Sequence, residues 1–238
     1  MEKRAFEYFK RSPLIHVDMA EAIRRGNSKI LYADSDGVLL YNEKTHTYLL
    51  SSANYEAAVR LCTMVKGECR CIVVRGEGAA EAVKAVLNFE LGEPCFQCAY
   101  LKKEPVQFEC DGDIRPLDLS HIPTVARHYR ITDPAYARDR IAAGDMFGLF
   151  NRETGEMMGF IGIHDDGSGG MLEIFEPYRK RGYGTALERF ILNEQLRRGY
   201  TPYGQIFISN TKSINLQRKL GMEISTETLR WTFLKNSD

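Results

Sequence analysis

The chain has 238 residues, 44% of them hydrophobic and 27% charged, and its 32 Lys plus Arg balance 32 Asp plus Glu. That length holds one large domain or two small ones, and the neutral balance argues against nucleic acid or an anionic membrane as partner. No run approaches the roughly 18 apolar residues of a membrane span, and Met1 to Glu7 lacks the apolar core of a secretory signal, so a cytoplasmic location is expected.

Helical spacing runs from the start to about Asn27, broken at Pro13. Lys29 to Tyr32, Gly37 to Tyr41 and Thr45 to Leu50 read as short strands, with Asp34-Ser35-Asp36-Gly37 and Asn42-Glu43-Lys44 as turns. Tyr55, Ala58, Val59, Cys62 and Val65 keep helical spacing. Cys71 to Val74 predicts a buried strand, Ala79 to Leu87 a helix, and Phe96 to Leu101 another strand. The turn Arg75-Gly76-Glu77-Gly78 carries one base and one acid, the mark of an ordinary strand-to-helix turn. Of the cysteines, Cys69-Arg70-Cys71 and Cys95-Phe96-Gln97-Cys98 suggest a four-thiolate zinc site, but the first pair lacks the usual spacer. Reduced thiols and no metal are expected.

The polar stretch Lys102 to Asp113 marks a boundary, which divides the chain into residues 1–106 and 111–238. Beyond it the pattern restarts. Ile114 to Leu119 reads as a strand, Ser120 as the cap of a helix to about Tyr129, and Pro134 to Ala143 as a second helix. Met146 to Phe150 and Met157 to Ile163 form a hairpin. Then comes the most informative stretch, Leu172-Glu173-Ile174-Phe175-Glu176-Pro177-Tyr178-Arg179-Lys180-Arg181-Gly182-Tyr183-Gly184-Thr185. A strand enters a basic, glycine-spaced turn and leaves as a helix that stops at Gly199. Such a turn offers backbone N–H groups to a phosphate. A strand within Pro202 to Ser209, a helix over Thr211 to Leu220 and an alternating strand through Leu229, Trp231 and Phe233 complete the chain. The class is α+β, with similar element order in the two halves.

Arg179-Lys180-Arg181-Gly182-Tyr183-Gly184 fits Arg/Gln-x-x-Gly-x-Gly/Ala, and Asn210, Ser213, Leu216, Lys219, Leu220 and Gly221 follow at a matching separation. Together these motifs resemble those of the GNAT superfamily of acetyl-CoA-dependent N-acetyltransferases, from about Asp111 to the end. The resemblance implies a mixed, mostly antiparallel sheet flanked by helices, with the N-terminal half a degenerate copy of the same fold. It implies acetyl-CoA or another acyl-CoA as co-substrate. The strand around Glu173, Ile174 and Phe175 would pair with the pantetheine arm. Arg179, Lys180, Arg181, Gly182, Tyr183, Gly184 and Thr185 would hold the pyrophosphate, and Asn210, Ser213 and Gln217 would face the cofactor.

Direct attack of an amine on a thioester needs a proton acceptor and a way to protonate the leaving thiolate. Glu173, in an otherwise apolar strand, is the candidate base. Gln217 stands where many relatives carry a tyrosine acid, and Gln205 where some carry a catalytic glutamate. Tyr183 and Tyr203 are possible substitutes. His164, beside Asp165 and Asp166, is a second candidate base, whereas His16, His46, His121 and His128 show no partner pattern. The leading expectation is an N-acetyltransferase acting on a primary amine of a small molecule or amino acid. A non-catalytic acyl-CoA-binding or regulatory protein and a protein N-acetyltransferase are the alternatives, and a homodimer is a possible assembly.

Overall fold

The structure is a computed structural model and describes residues 1–129 and 133–235. Helices α1 (Glu2–Phe9) and α2 (Val17–Arg24) lead into a meander of β1 (Ser28–Asp34), β2 (Gly37–Asn42) and β3 (Thr47–Ser52). Then follow α3 (Tyr55–Met64), β4 (Cys71–Gly76), α4 (Ala79–Leu87) and β5 (Phe89–Ala99). A second meander-rich segment contains β6 (Asp113–Pro116), α5 (Ile122–His128), α6 (Pro134–Ala142), β7 (Met146–Phe150), β8 (Met157–Ile163), β9 (Gly169–Ile174) and α7 (Tyr183–Arg197). β10 (Tyr203–Phe207), α8 (Thr211–Lys219) and β11 (Glu223–Leu234) close the chain. The expected α+β class holds.

The chain forms two compact units: Met1–Ala99 with Gln205–Arg218 and Met222–Asp238, and Tyr100–Gly204 with Lys219–Gly221. The first is built on a seven-stranded sheet in the order β1-β2-β3-β4-β11-β5-β10. The last strand of the chain thus lies between two strands of its first hundred residues. Side-chain alternation feeds two cores. Leu39, Leu50, Ile72 and Val74 pack with Leu61 and Val83 of α3 and α4. Val38, Leu40, Leu49 and Val73 pack with Phe9 and Met19 of α1 and α2. Covered on both faces, β2, β3 and β4 read as apolar runs, and each fully buried Leu contributes about 1.5–3 kcal/mol.

The second unit carries a four-stranded antiparallel sheet, β6-β7-β8-β9, with β9 at its edge. Met171 and Phe160 face a core with Ile141 and Val125 of α6 and α5. Leu172 and Ile174 face the other, with Tyr183, Leu187 and Ile191 of α7.

Some local expectations are corrected. The strand after the boundary stops at Pro116, because Asp118 rather than Ser120 begins the next turn: its Oδ1 accepts from Ser120 N at 2.8 Å. β5 starts seven residues before the expected Phe96. All six cysteines are free thiols, and burial pushes Cys62 and Cys69 up to about 12 and Cys95 up to about 11, so they stay protonated and ligate metal poorly. Among the described residues, no His/Cys/Asp/Glu group has metal-binding geometry and no helix is long and apolar enough to cross a membrane.

Candidate active site

β9 is an edge strand, so one row of its backbone groups faces away from the ladder. It is also irregular. Phe160 pairs with Glu173 and Gly162 with Gly170, with a register shift between them, and Met171 holds φ 54°. A bulge of this kind bends a strand and re-aims its backbone groups, and positive φ in a non-glycine residue is a strained conformation kept by its surroundings. The sequence carried a signal for it, Gly169-Gly170, since glycine inside a strand marks a bulge or close approach.

Phe175 leaves the strand by donating its N–H to Met158 O at 2.9 Å. Its ring stacks on His128 at 3.8 Å, so His128 has a partner that spacing did not reveal. A 3-10 turn, Glu176–Tyr178, begins with Pro177 near its start. Lys180 (φ 62°) and Gly182 (φ 85°) then adopt left-handed backbone, and α7 starts at Tyr183. Gly182 forms no side-chain cap, and the first helical bond inside the turn is Ala186 N to Gly182 O at 3.0 Å. The N–H groups of Tyr183, Gly184 and Thr185 therefore lie at the unpaired, positive end of a 15-residue helix. Lys180 and Arg181 are exposed beside them. A depression of about 440 Å³ opens here, lined by Arg181, Gly182, Tyr183, Ala186, Glu109, Cys110 and Asp111. Tyr183 donates to Asp111 Oδ2 at 3.2 Å.

Arg179 turns the other way. Its Nε donates to Ile174 O and its Nη2 to Glu173 Oε1, both at 2.8 Å. Glu173 is therefore ion-paired, with 22% of its side chain exposed against 57% for Arg179. A pair this exposed is worth under about 1 kcal/mol, so Glu173 is readily released. Tyr129 lies within electrostatic reach of Glu173, and burial first, then the Glu173 charge, raises its phenol pKa.

Glu173 through Thr185 belong to the second unit, whereas Asn210, Ser213 and Gln217 belong to the first. Asn210 is the N-cap of α8: its Oδ1 accepts from Ser213 N at 3.1 Å and its carbonyl from Ile214 N at 3.1 Å. Ser213 is half-buried; Gln217 is 7% exposed and its Oε1 has no hydrogen-bond partner. Gln205 accepts from Trp231 Nε1 at 2.5 Å. Tyr203 donates to Asp166 O at 2.6 Å, so this tyrosine, like Tyr183, already has its proton engaged.

The first unit corrects the reading of His16. Its Nδ1 donates to Ser12 O and its Nε2 accepts from Ser51 Oγ, both at 2.8 Å. Burial, and then the Arg75 charge, lowers its pKa to about 4, so it is neutral near pH 7. Ser51 and Arg75 are distant in sequence, so spacing could not show them.

Comparisons with known proteins bear on the fold. Residues 146–231 match the family described as FR47-like protein. No curated protein matches the chain. A solved structure from Drosophila melanogaster is similar over 100% of this chain and 98% of its own, at 14% identity and a TM-score of 0.70. A GCN5-related N-acetyltransferase from Sphaerobacter thermophilus is similar over 96% and 93%, at 12% identity and a TM-score of 0.54. A tandem GNAT protein from the clavulanic acid biosynthesis pathway is similar over 95% and 90%, at 14% identity and a TM-score of 0.50. The chain has the fold of these GNAT structures, and the resemblance read from its two motifs extends in fold over nearly the whole length.

Proposed function

We propose that the protein transfers an acetyl or short acyl group from acyl-CoA to a primary amine of a small molecule or amino acid, by direct attack. The observation that carries this reading is the uncapped start of α7 immediately after an edge strand. Three features support a pyrophosphate there: Lys180 and Gly182 curl the backbone in left-handed conformation, no atom beyond the adjoining chain lies within 4 Å of where a Gly182 Cβ would be, and two exposed cations flank the turn. Tyr183, Gly184 and Thr185 would bind the phosphates through backbone N–H groups. Ile174 and Phe175 would align the extended arm. Acyl-CoA, when bound, supplies the thioester carbonyl. The backbone re-aimed at the Met171 bulge is the proposed donor to the oxygen of that carbonyl as charge develops. Glu173, once released by Arg179, takes a proton from the reacting nitrogen.

A non-catalytic acyl-CoA-binding role is the second reading. It is favoured by Gln217 and Gln205, neither of which exchanges a proton at neutral pH. One experiment separates the two. Acetyl-CoA is titrated by calorimetry, and free thiol is then followed with a panel of alkyl amines and amino acids. The proposal expects micromolar binding and amine-dependent thiol release. Binding without release supports the second reading, and absence of binding removes both.

A further inference from the structure

Amine acylation has a proton requirement that one carboxylate meets only in part. An alkyl ammonium, with a pKa near about 10.4, must lose one proton before it can attack. After attack the nitrogen must lose another to become an amide. One of these protons ends on the leaving sulfur and one in solvent.

We infer that His164, held by Tyr136 and Asp165, is the acceptor of the first proton and that Glu173 handles the second. The inference rests on the acyltransferase reading above.

The hydrogen bonds assign the tautomer. Tyr136 Oη lies 2.9 Å from His164 Nδ1 and 3.0 Å from Asp165 Oδ1, and it accepts the Asp165 N–H at 3.2 Å. A phenol has one proton and a carboxylate none, so Tyr136 donates to Asp165. The contact to His164 is then Nδ1–H donating to Tyr136, which leaves Nε2 with its lone pair. Burial raises the Tyr136 phenol far above its usual range, which keeps it a donor. A base oriented by a second group that is fixed by a third is the arrangement used to activate a reacting proton.

The position of Nε2 ties this relay to the site. A Cβ on Gly170 would sit 2.5 Å from it, so this edge of the imidazole packs against the backbone directly before the Met171 bulge. Met171 packs into the core shared with α5 and α6, and Tyr136 belongs to α6. Glu173 stands three residues closer to the phosphate-binding turn, roughly 10 Å along a strand. Glu173 is thus near the proposed cofactor arm, and His164 is near the end of β9 from which an acceptor amine would approach.

The other groups around the relay are accounted for. Arg140 lies over the Tyr136 ring at 5.6 Å and pairs with Asp145, which also pairs with Arg198. Asp166 Oδ1 accepts from Ser168 N and Oγ at 2.8 and 2.7 Å, and burial raises this carboxyl's pKa.

The step balances as follows. Nε2 takes a proton from R–NH3⁺, and the imidazolium charge is shared through Tyr136 with Asp165. The free amine bonds to the acyl carbon, Glu173 removes the second nitrogen proton, the C–S bond breaks, and that proton passes to sulfur. His164 returns its own proton to solvent.

The test compares wild type, His164→Gln, Tyr136→Phe and Glu173→Gln on two acceptors: an alkyl amine, and methoxyamine, which is unprotonated at pH 7. With the alkyl amine at pH 7, His164→Gln loses about a hundredfold in kcat/KM. The loss shrinks below about threefold with methoxyamine, and it shrinks with the alkyl amine as pH rises toward about 10.4. Tyr136→Phe moves the same way by less, and Glu173→Gln stays impaired on both amines. Calorimetry with acetyl-CoA shows each variant folded and binding as wild type does. If His164→Gln is misfolded, Tyr136→Phe alone decides: equal impairment on both amines, or none, overturns the inference. For a folded His164→Gln the same two results overturn it and leave the acyltransferase reading standing. A wild-type protein that binds acetyl-CoA yet acylates neither amine removes the acyltransferase reading, and this inference with it.

Discussion

The two units build the same local sequence of elements and finish it differently. In the first, β3 enters α3 and returns as β4 of the same sheet; in the second, β9 enters α7, after which the chain runs into β10 of the seven-stranded sheet. β3 and β4 are hydrogen-bonded in parallel from Tyr48 with Ile72 to Ser52 with Gly76. β9 and β10 belong to different sheets and share no ladder among the described residues. α3 is capped by its own Asn54, whose Oδ1 accepts from Ala57 N at 2.9 Å. α7 starts at Gly182 with no side-chain cap. Even the basic residues differ. Arg75 is buried and donates to Asp18 at 2.5 and 2.8 Å, whereas Lys180 and Arg181 are exposed. In the first unit the start of α3 is capped by a side chain, and Arg75 is neutralised by Asp18. The second leaves the start of α7 without a side-chain cap and its two cations exposed.

Breaking the internal neutralisation in the first unit gives the largest expected effect. Asp18→Asn strands the Arg75 guanidinium at 1% exposure, and losing one partner of a buried ion pair costs about 3–5 kcal/mol. Calorimetric unfolding would then show a melting temperature lower by roughly 10 °C, at about 2–4 °C per kcal/mol for a chain of this size. If Arg75 instead served as an anion site, phosphate would restore the lost stability, and the comparison would fail.

Gly182→Glu attacks the other side. A carboxylate at the start of α7 occupies the positive helix end, and a side chain at φ 85° adds strain of about 1–2 kcal/mol. Acetyl-CoA affinity is expected to fall about a hundredfold, or about 2.7 kcal/mol, with the protein still folded. Titration calorimetry showing wild-type affinity would mean that α7 does not receive the pyrophosphate.

The contrast was only half legible in the sequence. The second turn could be read because its signals are local: glycines two apart, three consecutive bases and a strand before them. The pairing of β11 could not. Leu229, Trp231 and Phe233 alternate as a strand should, but nothing in that pattern says that Leu229 sits between Arg75 and Cys95. β5 was cut short for a similar reason. Pro94 argues against a strand interior because it donates no N–H, yet it is tolerated beside a register shift between Arg230 and Thr232, where its carbonyl accepts from Ile208 N at 3.1 Å. Tyr136 gave no signal at all, since its importance comes from a turn 28 residues away.

The smallest expected effect separates glycines that serve the fold from those that serve a ligand. Gly78 caps α4 at φ 68°, and a Cβ there would lie 2.7 Å from the backbone of Tyr55. Its lack of a side chain is a requirement of packing. Gly184 sits inside the first turn of α7, and a Cβ there would meet only Ile174 and Leu172, at ordinary contact distances of 3.7 and 3.8 Å. Nothing in the folded chain forbids alanine, which favours a helix over glycine by up to about 1 kcal/mol. Gly184→Ala should therefore raise thermal stability slightly. If a phosphate approaches this backbone, the same methyl group weakens acetyl-CoA binding by about tenfold, or about 1.4 kcal/mol. A variant more stable than wild type with weaker binding assigns the glycine to the ligand. Unchanged affinity would mean the cofactor does not come close to this turn, and the distinction between the two units would then rest on their strands alone.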